Sequence, residues 1–358
     1  LRLEEMDPGI DPDNVILMQV SLPPSYGEGP PRIAFLDSLR ERLAALPGVA
    51  SASYVEDPPM GFNKWSPPIR TFENARVFEG AAHRVGEDYF RTMGIRLLSG
   101  RLLTRTDGEA ARVVVLSKEL AEQIWPGENA LGRRIRMDDG PEAPWYSVVG
   151  VVNGIRQYGL DEGPAGEAYL PAALGGVARR TYLAVKTGDD PAALTGILRQ
   201  AVWSFDSNVP IPEITTMKRR VDATLRLPRF RALLLSLFAL LALTLVSAGV
   251  WGMVRYVVGR RTREIGIHMA LGAQPGDVAA RLLRQVLWPI LGGVGVGLAG
   301  AFAATRLLDS VLFGVEAADP GTLLASAAAL AALGVLSAFF PIRRATSVNP
   351  AEALRSTQ

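Results

Sequence analysis

The chain of 358 residues contains no cysteine and two histidines, and aromatic residues make up 7% of it. The lack of cysteine excludes a disulfide framework, a thiolate metal site and a thiol nucleophile. It does not assign a redox compartment, because a periplasmic domain can fold without disulfides. His83 and His268 stand far apart in sequence, which argues against a His-based zinc site. Glycine-rich phosphate loops, HExxH and GxSxG are also missing, so no catalytic, cofactor-binding or metal residues are assigned. The paired carboxylates Glu56 and Asp57, Asp138 and Asp139, and Asp189 and Asp190 each fall in a turn context. A solvated or capping role suits them better than acid–base chemistry. His83 is expected to be a hydrogen-bonded structural histidine.

Charge is unevenly placed. Residues 1–230 hold 27 Lys/Arg and 30 Asp/Glu, whereas residues 231–358 hold 11 and 6. The pI near 9.0 could suggest nucleic-acid binding. The basic excess sits instead beside apolar runs, which points to membrane flanks and to no nucleic-acid partner. Three runs lack charge altogether: residues 232–254, 286–305 and 322–342. The first would be roughly 34 Å long as a helix at ~1.5 Å per residue, enough for a hydrocarbon core of ~30 Å. None of the three shows the polar stripe of a soluble amphipathic helix. All three are therefore read as transmembrane helices.

Orientation by charge stays open. Six arginines in residues 255–284 and Arg343, Arg344 and Arg355 favour a cytoplasmic side. Lys218, Arg219, Arg220, Arg226, Arg229 and Arg231 stand on the opposite side. Gly293, Gly297 and Ala301 form a small-xxx-small step, expected to pack closely against another helix. No ionisable residue lies within a span, which argues against an ion-coupled site there. The chain begins at Leu1 with no signal peptide. Either the first 230 residues stay in the cytoplasm, or the sequence is part of a longer protein with an earlier membrane helix; the second is expected.

The first part reads as α+β. A strand at 15–22, a helix at 31–46 and a strand at 49–55 form one β–α–β unit. A strand at 181–186, a helix capped by Asp190 with Pro191 at its first position, and a strand at 211–214 form another. The two units are expected to pair into one sandwich. Between them, residues 86–179 read as an inserted mixed α/β subdomain, with a helix at 87–93, a strand at 113–116, a helix capped by Ser117 and strands at 133–137 and 145–152. Turns are expected at Asp107 and Gly108 and at Asp139 and Gly140.

RRTREIGIHMALGAQPGDV, residues 260–278, resembles the cytoplasmic loop of MacB/FtsX-type ABC transporter permeases. DPGIDPDNVILMQVSLP (7–23), LPGVASAS (46–53), YFRTMGIRLLSGR (89–101), IWPGENALGRRIRM (124–137) and VVGVVNGIRQYGL (148–160) resemble a MacB-like periplasmic core domain. LFGVEAADPGTL (312–323) and PIRRATSVNPAEALR (341–355) resemble the end of an FtsX-like permease domain. The resemblance covers nearly the whole chain. Its motifs are moderately specific singly and strong in their order.

The resemblance implies residues 1–217 as the periplasmic core domain, with a porter-like part at 14–85 and 180–217 and the insertion at 86–179. It implies a connecting stalk at 218–231 and a permease domain at 232–358. The setting would be the bacterial inner membrane, with the large domain periplasmic and the C-terminus cytoplasmic. Family permeases carry four spans, and the first is absent here; the chain resembles the C-terminal half of a duplicated permease, or a single-copy relative. The implied mechanism is mechanotransmission, in which a cytoplasmic ABC ATPase grips residues 255–284. Arg260, Arg261, Arg263 and Glu264 would supply charge, Ile265, Ile267, Met269 and Leu271 apolar knobs, and Gly266 and Gly272 complete the coupling segment. Gly272 and Ala273 allow a cap and a turn. The competing view of the segment is a positive-inside anchor with no partner. His268 stands where the family often has arginine. Other implied partners are a second permease half or a second copy, the lipid bilayer, and a periplasmic adaptor or envelope protein. A different class of function is a membrane-anchored regulator of a cell-envelope process.

Overall fold

A computed structural model describes residues 6–61, 65–73, 76–108, 111–137, 143–160, 163–174, 176–188, 190–270, 274–308 and 320–346. The chain divides into two compact units, Leu1–Pro228 and Arg229–Gln358.

In chain order the first unit holds β1 (Val15–Ser21), α1 (Pro30–Ala44), β2 (Val49–Val55), β3 (Pro68–Thr71), β4 (Val77–Glu79), β5 (Ala81–Val85), α2 (Tyr89–Met93), β6 (Leu97–Gly100) and β7 (Val113–Ser117). It continues with α3 (Lys118–Ile124), β8 (Arg134–Met137), β9 (Trp145–Val152), β10 (Glu167–Pro171), β11 (Arg180–Thr187), α4 (Pro191–Phe205), β12 (Glu213–Thr216) and α5 (Met217–Thr224).

The outer units of the sequence build one antiparallel four-stranded sheet in the order β12-β1-β11-β2. Two prolines open α1, and its apolar positions recur at helical spacing, so Phe35, Leu36, Leu39 and Leu43 all face inward. They meet Ile16, Met18 and Val20 from β1, Leu183 and Val185 from β11, and Leu194, Leu198 and Val202 from α4. Each such side chain contributes roughly 1.5–3 kcal/mol on burial. Asp190 caps α4 by accepting from the Ala192 N–H, with Pro191 at the first position.

The other strands follow in the order β5-β10-β7-β9-β8-β3-β4, with β6 on β9. β5 lies parallel to β10 and β7 parallel to β9. This group meets the four-stranded sheet at one registered pair, Val55 with Val85. The sequence places 14–85 with the outer units, but within it β3 pairs with β8 and β5 with β10. The short, isolated apolar runs in β3 to β5 carry little alternation, so only their long-range partners reveal the sheet they join. Ser117 caps α3, as its position before the helix suggests, and accepts from the Leu120 N–H. The turn expected at Asp139 and Gly140 lies outside the described residues.

The second unit is helical. α6 (Arg226–Ala270) follows α5 after one intervening residue, Leu225; α7 is Pro275–Leu308 and α8 is Pro320–Thr346. Among the described residues, one helix, Met217–Val257, is long and apolar enough to cross a membrane, with a mean hydropathy of 2.5 in its apolar window. None of that window is buried. Two shorter apolar helices cover Leu287–Ala303 and Leu324–Ser337.

Candidate functional site

The candidate coupling segment lies on helix for most of its length. No proline interrupts residues 255–270, and α6 carries straight through the charges to Ala270. Arg255 stacks over the Trp251 ring at 5.2 Å and Arg260 over the Tyr256 ring at 5.6 Å. Both pairs are four residues apart, the spacing that brings side chains together on one helix face. Arg261, Arg263, Glu264, Ile265, Gly266, Ile267 and Met269 sit on this helical backbone, and their side chains lie outside the described set. Leu271, Gly272 and Ala273 lie outside the described residues, so the expected cap falls there too. α7 resumes at Pro275, a residue suited to a first helical turn.

A cavity of about 740 Å³ opens between α6, α7 and α8. Val250 and Met253 on α6, Gly293, Gly297 and Ala301 on α7, and Ala327 on α8 line it. Gln285 and Ser326 are its polar side chains. The glycine step expected to pack against a helix opens onto this space instead. A Cβ placed on Gly293 or Gly297 would meet nothing within 4 Å among the described residues. Close approach occurs at Gly334 on α8, where a Cβ would stand 3.0 Å from the Ile290 side chain of α7. Small residues permit contact without dictating which of them makes it, and within this chain the described close approach is at Gly334.

In the first unit the carboxylate pairs separate in role. Glu56 accepts from the Ala178 N–H at 2.7 Å and pairs with Arg84 at 3.3 Å. Asp190 caps α4, and Asp189 lies outside the described residues, as do Asp138 and Asp139. Asp57 is the exception to the solvated reading. Its Oδ2 is buried without a hydrogen-bond partner. Burial pushes its carboxyl up to about 6, against the opposing pull of His83 and Arg220 and with a small push from Glu56. His83 is buried, and its Nε2 lies 3.3 Å from Glu167 Oε1. Glu167 in turn accepts from the Tyr169 hydroxyl at 2.6 Å.

Comparison with known proteins places these features in a family. A model for the MacB-like periplasmic core domain matches residues 4–201, and one for the FtsX-like permease C-terminal region matches residues 236–350. The chain is 31% identical over 284 residues to the macrolide export ATP-binding/permease protein MacB of Chromobacterium violaceum, covering 75% of this chain and 42% of that protein. It is 27% identical to MacB of Neisseria gonorrhoeae, covering 79% and 44%. It is 28% identical to the pyoverdine export ATP-binding/permease protein PvdT of Pseudomonas putida, covering 72% and 40%. The chain thus spans less than half the length of these relatives. Among solved structures, the periplasmic region of MacB from Actinobacillus actinomycetemcomitans aligns with a TM-score of 0.41 at 17% identity, covering 61% of this chain and 95% of that one. With a core-domain model over more than half its length and a permease model over its helical part, the chain belongs to the MacB/FtsX-type family of ABC transporter permeases.

Proposed function

We propose that this chain is the membrane permease part of an ABC-type export system, and that it relays motion from a cytoplasmic ATPase to an outer domain. One observation carries the reading: α6 runs unbroken over 45 residues. At ~1.5 Å per residue it is about 68 Å long, more than twice a hydrocarbon core of ~30 Å. A single rod therefore joins the end of α5 to the basic segment at 255–270. A continuous helix transmits rotation and translation that a loop would absorb.

In this reading residues 232–254, 286–305 and 322–342 are three spans. Their exposed apolar side chains, including Leu235, Leu245, Trp288 and Val296, face lipid, since such surfaces are unsuited to water. The outer domain at 1–217, with its porter-like part and insertion, lies on the periplasmic side of the inner membrane, followed by a stalk at 218–231. The segment 260–278 lies in the cytoplasm and receives the ATPase through Arg260, Arg261, Arg263 and Glu264. A second permease half or second copy completes the assembly, and a periplasmic adaptor or envelope protein meets the outer domain. The names of the relatives, macrolide export and pyoverdine export, support export as the direction of work. The chain itself supplies coupling and carries out no bond chemistry.

Co-purification of the full chain with its ABC ATPase tests the coupling segment. The double variant Arg263→Ala/Glu264→Ala is expected to lose at least about tenfold in affinity, some 1.4 kcal/mol. Undiminished binding would remove the segment from the interface.

A further inference from the structure

We propose that the turn at residues 57–61 is the joint between α5 and the inserted sheet, and that the charge on Asp57 sets how firmly this joint holds. The inference rests on the relay reading above and adds a regulator to it.

The turn follows β2, next to the registered pair that links the two groups of strands among the described residues, Val55 with Val85. It touches α5 in two ways. Arg220 donates from Nε to the Met60 carbonyl at 3.3 Å, and the Met60 side chain shares a buried cluster with Met217 and Leu225 at the ends of α5. It also touches the insertion: the Met60 N–H donates to the Gln157 carbonyl at 2.8 Å, and Gln157 Nε2 donates to the Pro58 carbonyl at 3.5 Å. Met60 is 3% exposed and has φ +59°. A buried, non-glycine residue in the left-handed region is strained and persists only where its surroundings hold it. Gly61 beside it leaves room for the Asp57 carboxylate: a Cβ there would stand 2.4 Å from Asp57 Oδ1, and the Asp57 side chain would have to shift. The turn is thus a strained element held from both sides.

The charged and titratable groups that face Asp57 are Arg220 on α5, His83 on β5, Glu56 at the end of β2 and Tyr89 on α2. Arg220 also lies over the Tyr182 ring at 5.1 Å, so the same guanidinium touches β11. An ionised Asp57 draws Arg220 toward the turn. A protonated Asp57 removes that pull and leaves Arg220 with the carbonyl and the ring. The same carboxyl is raised by burial to about 6, so its protonation falls within reach of ordinary acidification. The two effects have opposite signs. Protonation relieves a buried charge, so fold stability rises as pH falls from about 6 toward 4, while the hold on α5 loosens.

The absence of cysteine makes paired spin labels specific. Arg219→Cys and Ser99→Cys place one label on α5 and one on β6 of the inserted group. The full chain in lipid nanodiscs is measured from about pH 8 to about pH 5. The distance distribution is expected to widen on acidification with a midpoint at about 6. Asp57→Asn is expected to give the wide distribution throughout, to lose the pH dependence, and to unfold at a higher temperature than wild type at high pH. His83→Gln is expected to shift the midpoint upward. A pH-independent wild-type distribution, a pH dependence that survives Asp57→Asn, or a destabilised Asp57→Asn chain at high pH would each overturn the proposal. No ATPase is present in this measurement, so a failure here leaves the coupling segment standing, and a failure of coupling leaves the joint standing.

Discussion

Asp107 is a carboxylate made structural by its neighbours. Arg101 grips it with two bonds of 2.6 and 2.8 Å, and the Thr104 N–H and hydroxyl both donate to Oδ2. Arg101 and these Thr104 donors hold the carboxyl below its usual value against the cost of burial. A depressed acid contributes stability that is complete above its unfolded pKa of about 3.9 and lost as pH falls through its folded value. Asp107→Asn is expected to cost about 1–2 kcal/mol near neutrality, toward the low end for charge-assisted bonds because Arg101 is half exposed. Denaturant unfolding at neutral pH and below pH 4 checks this, with the gap between wild type and variant closing in acid. Asp57 shows the reverse sign from the same residue type. The difference is geometric: Asp107 has four donors, while Asp57 has a buried oxygen with none. Nothing in the sequence separates two turn aspartates in this way, because donors arrive from chain segments that folding brings together.

The elements were legible to the extent that their signals were local. Asp190 before Pro191, Ser117 before an apolar run and the spacing of Leu36, Leu39 and Leu43 each specify a helix within a few residues, and the helices lie there. β10 was not foreseen, although all five of its residues are buried, because EAYLP is too short and unalternating to read as a strand even after the turn signal at Gly163 and Pro164. Helix contact in the second unit was likewise non-local. Among the described residues the glycine in close contact with a neighbouring helix is Gly334, which lies against Ile290. Gly334→Val is therefore expected to destabilise the α7–α8 pair by about 1–3 kcal/mol through overpacking, while Gly293→Ala stays near neutral. Thermal unfolding in detergent micelles distinguishes them, and equal effects would contradict the assigned contact. Of the coupling segment, the charge and the helical setting were readable. The cap expected at residues 271–273 lies outside the described residues.

At the scale of the whole molecule, the sequence divides by charge and by solvent. The first unit buries its apolar residues in three clusters, whereas the second exposes them along its helices. A surface of that kind is stable only where hydrocarbon replaces water. One long helix spans the apolar window and reaches the arginines at 255–263, the stiff path that the proposed relay requires. The central claim is that nucleotide-driven motion of the ATPase reaches the outer domain through this path. Hydrogen exchange over residues 1–228, measured on the full chain bound to its ATPase with and without ATP, tests it most directly. The account predicts an ATP-dependent change in protection in α5 and the turn at 57–61 that disappears in Arg263→Ala/Glu264→Ala. Unchanged exchange in the outer domain, with the ATPase bound and turning over, would contradict it.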